Sequence, residues 1–219
     1  MPRIDDYKTA IALAAAELQK INPKRLENRS KCEYFQEDGR EGLLVPYFGQ
    51  GRRVVWPEIT VTPAGGAEGA DRDAQIPLTE QILILHYLSK ATGEPLSGRD
   101  IDFREVPDGG GFYWSAFVSR AKKPLLETFG NDLDLYLQVA QTLGGEPQNL
   151  GEAAARFPAF PLVPVTHVLW RGDEEFPPEA NILFDETISR HLSTEDIAAL
   201  AGASVYRLMA AAFKMRQGK

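Results

Sequence analysis

The sequence predicts an α+β protein, a single compact domain spanning 1–219 with antiparallel hairpins, several helices and a long C-terminal helix. Three observations carry this. Short apolar runs are separated by glycine or proline turns, as hairpins require. Between them lie stretches whose apolar residues recur every three to four positions, as helices require. Helices and hairpins do not alternate in βαβ order, which argues against a doubly wound sheet.

Residues Asp6 to Ile21 predict a helix, with Tyr7, Ala10, Ile11, Ala14, Leu18 and Ile21 on one stripe, Asp5 or Asp6 as its cap and Pro23 as its stop. Leu43–Phe48 and Arg52–Trp56 read as a hairpin turned by Gly49-Gln50-Gly51, with a third strand at Ile59–Val61. Pro46 cannot donate to a ladder and marks an edge or a bulge. The glycine-rich segment 63–75 reads as a flexible loop, which allows a small N-terminal lobe at 1–62 and a main body at 76–219. Pro77 to Gly93 predicts a central helix capped by Thr79, and Ile101–Arg104 a strand. "PDGGGFYW" is a turn and an aromatic cluster leading into a helix from Trp114, followed by a helical turn at Pro124–Phe129. Asp132–Leu143 is a helix ended by Gly144-Gly145. Leu162–Trp170 and Asn181–Phe184 are paired strands around an acidic loop. Ser193 caps the last helix, whose stripe runs through Ile197, Leu200, Ala201, Val205, Leu208 and Ala212; Gly202 is a weak point within it.

Composition narrows the function classes. The chain of 219 residues is 43% hydrophobic and carries 24 basic against 31 acidic residues, a net charge of −7. That balance argues against general affinity for nucleic acid or anionic lipid. The N-terminal stretch lacks the pattern of a signal peptide, and no apolar run suggests a membrane span, so a cytoplasmic protein is expected. The one cysteine, Cys32, cannot form an internal disulfide or a cysteine-ligated iron–sulfur cluster, and its flanking Lys31 and Glu33 give no clear thiolate activation. No nucleophile elbow, phosphate loop, dinucleotide fingerprint or HExxH metal spacing is present.

Two blocks of sequence carry a family resemblance. "TEQILILHYLSKATGEPLSGRDIDFREVPDGGGFYWSAFVSR" and, later, "VPVTHVLWRGDEEFPPEANILFDETISRHLSTEDIAAL" occur in the order and spacing of an uncharacterised family. The chain resembles the domain of unknown function numbered 3786. The resemblance implies an anaerobic context, in sulfate reducers, acetogens and methanogens, and some relatives carry a cysteine-rich iron–sulfur segment ahead of the domain. This chain departs from that pattern, having no CxxC, so any cluster would belong to a partner. The resemblance assigns no role to individual residues.

Two regions hold candidate site residues. The acidic hairpin Asp173–Glu186 is not an EF-hand, since counting from Asp173 the glycine position is Pro178 and the bidentate glutamate position is Phe184. Glu175 and Asp185, with His167 on the preceding strand, are the catalytic candidates: two carboxylates that converge, or hold Mg²⁺, would support acid/base chemistry. The alternative is a solvated tip, with Asp185 capping a helix or accepting backbone N–H bonds. The second region joins Arg104, Gly110, Tyr113, Trp114 and Arg120, with His86 as an added candidate. Glycine permits close approach, aromatics supply flat apolar area, and arginine forks onto carboxylate or phosphate, a combination that suits a flat acidic cofactor. The alternative is a glycine turn leading aromatics into the core. His86 is read as half-buried or core unless it is a ligand, and His191 as exposed near a helix start. No metal site is assigned, and the cofactor and oligomeric state are not determined.

Three functions follow as expectations. The first is a non-catalytic ligand- or cofactor-binding accessory domain of anaerobic redox or cofactor metabolism, with a small molecule or a redox protein as partner. The second is a metal- or acid-assisted hydrolase or transferase using the 173–186 acids. The third is a protein–protein interaction subunit.

Overall fold

A computed structural model describes residues 4–65 and 76–218. Most of the segment expected as a flexible loop at 63–75, namely 66–75, lies outside the described residues. The fold is α+β, with two antiparallel sheets and a long C-terminal helix, as the sequence predicts. The chain divides into two units: Met1–Pro95 with Phe160–Leu162 and Arg190–Leu192, and the remainder.

In the first unit, α1 (Ile4–Leu18) buries Ala14 and Leu18 and packs on α3 (Leu78–Lys90). The first helix stops three residues before the predicted end and five before Pro23, so Pro23 does not end it but starts the next one. The Asn22 side chain accepts from the Lys24 N–H, and Pro23 takes the first position of α2 (Pro23–Ser30), where its missing N–H costs nothing. A four-stranded sheet follows in the order β1 (Glu33–Glu37), β2 (Arg40–Tyr47), β3 (Gln50–Trp56), β4 (Thr60–Pro63). β1 escapes sequence reading because four of its five residues are charged or polar or half-exposed tyrosine, with no buried face to set a period. The β2–β3 turn is Phe48-Gly49, both at positive φ, rather than the predicted three-residue bend. Pro46 lies beyond the last β1 partner, Glu33 opposite Leu44, so its missing donor faces no neighbour there. Thr79 is not the cap of α3; Pro77 holds that position without a side-chain bond. Tyr87 anchors the core, stacked on Phe160 at 4.3 Å and donating to the Ser30 carbonyl at 2.6 Å.

The second unit is built on a five-stranded sheet ordered β5 (Asp100–Asp102), β9 (Glu179–Asp185), β8 (Val163–Trp170), β7 (Ala153–Phe160), β6 (Glu146–Pro147). β8 is central, and seven of its eight residues are buried. A 3-10 turn (Phe103–Glu105) follows β5 and leads to α4 (Gly110–Phe117), which runs into a π-turn (Val118–Lys122) and α5 (Lys123–Phe129). The glycines therefore open this helix instead of preceding it. α6 (Leu133–Thr142) is capped by Asp132 and buries Leu135 and Val139, while Leu137 is exposed.

The last helix, α7 (Thr194–Gln217), is unbroken and opens with a Ser193–Asp196 capping box. Gly202 is explained by packing: a Cβ there would sit 3.3 Å from the Arg120 carbonyl of the π-turn. By length and composition alone α7 is apolar enough to cross a membrane, but its apolar face is spent on α4, the π-turn, α5 and α6 as a core helix.

Candidate functional site

The acidic hairpin places its two carboxylate candidates at opposite ends of β9. The last paired rung before the tip is Trp170 opposite Glu179, so Glu175 belongs to the tip, whereas Asp185 pairs with Asp100 at the far end. Six residues of strand separate Glu179 from Asp185, about 20 Å at strand rise. At the tip, Asp173 accepts from the N–H groups of Glu175 and Phe176 and closes the turn. Those amides hold its carboxyl below the ordinary range.

Asp185 is 1% exposed, and its acceptor capacity is used. It accepts from the Ser97 and Gly98 amides, the Ser97 hydroxyl, and both the amide and hydroxyl of Thr187. Burial alone pushes its carboxyl up; the bonds from Thr187, Ser97 and Gly98 outweigh that and hold it below the usual value. Among the described residues no group of three or more His, Cys, Asp or Glu is arranged to hold a metal.

His167 is fully buried between Phe157 of β7 and Tyr136 of α6, with ring centroids 5.3 and 6.4 Å away. Its Nε2 meets the Ser204 hydroxyl of α7 at 2.8 Å, and that hydroxyl donates to the Ala201 carbonyl at 2.7 Å. The serine proton is thus committed, so Nε2 carries the imidazole proton and donates. Nδ1 is buried without a hydrogen-bond partner. Burial lowers the imidazole pKa to about 3, so the ring is neutral. His191, expected to be exposed, is buried in the segment between the 3-10 turn Glu186–Arg190 and the Ser193 cap of α7.

The glycine–aromatic region opens α4 and spreads its aromatic side chains around the helix, from the buried Phe117 to the exposed Phe112. Gly110 is required by the fold: a Cβ would fall 2.4 Å from the Phe103 carbonyl, so the start of α4 lies directly against the 3-10 turn. Phe117 goes inward, stacked on Phe103 at 4.4 Å. Trp114 is half-buried, Tyr113 likewise, and Phe112 is 84% exposed. The Arg104 guanidinium lies 4.1 Å over the Trp114 ring. The acids beside it are committed elsewhere: Asp102 and Glu105 form the capping box of the 3-10 turn, and Glu105 faces Arg99 at 3.7 Å. Among the described residues neither Arg104 nor the exposed Arg120 of the π-turn has an ion-pair partner. Arg104, Gly110, Tyr113, Trp114 and Arg120 all belong to the second unit; the half-buried His86 belongs to the first.

The model of the family described as Domain of unknown function (DUF3786) matches residues 22–207. The chain belongs to that family. No curated protein and no solved structure matches it. Within this DUF3786 domain, sequence reasoning missed Phe112 as a surface feature and Ser204 as the partner of His167. The first had a legible signal. Three consecutive aromatics on a helix cover about 200° of its circumference, so one of them must face away from the core. The second had none, since 37 residues separate the two side chains.

Proposed function

We propose that this DUF3786 chain is a non-catalytic binding domain that holds a flat, anionic ligand or cofactor on the α4 surface, as a cytoplasmic accessory to anaerobic redox or cofactor metabolism. The single observation carrying this reading is Arg104: its guanidinium lies 4.1 Å over the Trp114 ring and has no ion-pair partner among the described residues. A guanidinium pre-oriented in this way keeps its hydrogen-bond donors for an incoming anion, and the adjoining ring offers a stacking face. The catalytic alternative draws less support, because Asp185 is saturated by donors and His167 is sealed.

Flavin mononucleotide serves as a flat, anionic probe. With protein purified without oxygen, titration is expected to quench tryptophan fluorescence saturably, and Arg104→Ala and Trp114→Phe are expected to weaken that binding. Native mass spectrometry of the same preparation is expected to show any co-purified ligand lost in Arg104→Ala. Absence of saturable binding, or equal binding by both variants, rejects the reading.

A further inference from the structure

We infer that two copies of this chain associate through the acidic tip of the β8–β9 hairpin, with Phe176 of each copy seated in a hollow between α6 and the end of α7 on the other. None of the α4 residues takes part. The knob is preformed. The Asp173 N–H donates to the Phe176 carbonyl at 2.9 Å, and the Asp173 carboxylate accepts from the Glu175 and Phe176 amides at 2.8 and 2.7 Å. Pro177 and Pro178 fix the backbone on the far side of the turn. Phe176 is thus presented, 67% exposed, by a turn that loses little freedom on docking. The hollow is about 250 Å³ and is lined by Leu135 and Gln138 of α6 and by Met215, Arg216 and Gly218 at the end of α7. Leu135 and Met215 give it an apolar wall for a ring.

The charges of knob and hollow are opposite. Glu174, Glu175 and Glu179 are exposed around Phe176, and none has an ion-pair partner among the described residues. At the hollow, Lys214 and Arg216 are exposed and likewise unpaired, about 100° around the helix to either side of Met215. After Asp196 the chain has no acid, so α7 itself offers these cations no carboxylate beyond its first turn. Tip against tip and helix end against helix end are repulsive, and tip against helix end is attractive, which fixes the pairing.

Placement closes the assembly. The tip rests on the turn that leads into α6, where a Cβ on Gly130 would lie 3.2 Å from Pro178, and the first turns of α6 line the hollow. Knob and hollow therefore share one end of the second unit. A two-fold axis beside that end seats both knobs at once and stops growth at two copies, whereas widely separated patches would propagate an open chain. Contacts of this small size make a dissociable dimer.

Analytical ultracentrifugation of the full chain over a dilution series tests this. A monomer–dimer equilibrium is expected, ending at two copies and shifting toward monomer as salt is added. Phe176→Ser, the pair Glu174→Lys and Glu175→Lys, and the pair Lys214→Glu and Arg216→Glu are each expected to raise the dimer Kd by about fivefold or more. Joining the two charge reversals in one chain is expected to restore association. Glu58→Lys, a reversal at an exposed position of the first unit, is expected to leave it unchanged. All substituted positions are exposed, and circular dichroism verifies folding. A chain that stays monomeric at every concentration overturns the inference. So do a dimer indifferent to Phe176→Ser, equal weakening by Glu58→Lys, a combined reversal that fails to restore association, and growth past two copies.

Discussion

His167 of β8 and Ser204 of α7 share a hydrogen bond of 2.8 Å inside the second unit, with both side chains sealed from solvent. The bond ties the central strand to the long helix. It has one direction: the Ser204 hydroxyl already donates to the Ala201 carbonyl, so the imidazole N–H donates to Ser204. Burial keeps the imidazole neutral, because a second proton would sit on Nδ1, which is bare among aromatic rings.

An acid-dependent loss of stability follows. The unfolded imidazole titrates at about 6.5, and in the folded chain burial lowers it to about 3. Between those values the unfolded chain binds the extra proton. The contribution is thus fully present above about pH 6.5 and is lost as pH falls toward 3. At ~1.4 kcal/mol per pH unit, roughly 2 kcal/mol is lost by pH 5 from this one group. Urea unfolding across that range is expected to show this slope in the parent chain and its reduction in His167→Leu; parallel pH profiles would contradict it.

Removing the serine isolates the histidine. Ser204→Ala strands a buried N–H, at a cost of about 1–3 kcal/mol. In the His167→Leu background the same change has no such N–H to strand and is expected to cost less. A double-mutant cycle measured by denaturant unfolding reads the coupling, and additive single changes would show that the bond carries no energy.

Asp185 is expected to matter for stability. Asp185→Ala deprives the Ser97, Gly98 and Thr187 groups of their acceptor in a site only 1% exposed. A loss of roughly 3 kcal/mol or more follows from several stranded donors. Because its carboxyl is depressed, its contribution is present above the unfolded carboxylate value and declines as pH falls through the folded one. Thermal melting tests this, and a melting temperature unchanged by Asp185→Ala would refute it.

Gly110→Ala sets helix propensity against space. Alanine is favoured over glycine by at most about 1 kcal/mol, and less at a first helical position than in an interior, while its Cβ would overlap the Phe103 carbonyl. Backbone atoms yield less readily than side chains, so the clash wins and a net loss of about 1–3 kcal/mol is expected. A variant more stable than the parent would mean that α4 can move off the 3-10 turn freely.

Cys32 is expected to be inert in the native state. It is 2% exposed, and burial pushes its thiol up to about 12. Iodoacetamide labelling should be slow under native conditions and become fast in denaturant, since the thiolate is the reactive form. Rapid stoichiometric labelling of folded protein would show that α2 and β1 open readily around it.

Much of the secondary structure was legible because it was periodic or punctuated. The stripe in α7, the Ser193 cap and the strands flanking the acidic loop all declared themselves. β1 and β7 did not. Glu33–Glu37 lacks a buried face, and the run Ala153-Ala154-Ala155 favours helix by propensity but is held as strand by its place in the sheet. Gly202 read as a weak point, yet its reason is the Arg120 carbonyl, 82 residues earlier in the chain. Of the candidate residues, the aromatics and Arg104 were visible as types; which ring faced water was not.

By itself, the sequence determined the α+β class, the capped C-terminal helix and the acidic charge, because these depend on local pattern and composition. Only the tertiary structure decided that Arg104 lies open on Trp114, that Asp185 is consumed by loop amides, and that His167 is neutral against Ser204. Each of these depends on groups far apart in the chain meeting at hydrogen-bonding or ring-contact distance, and no local spacing encodes such a meeting.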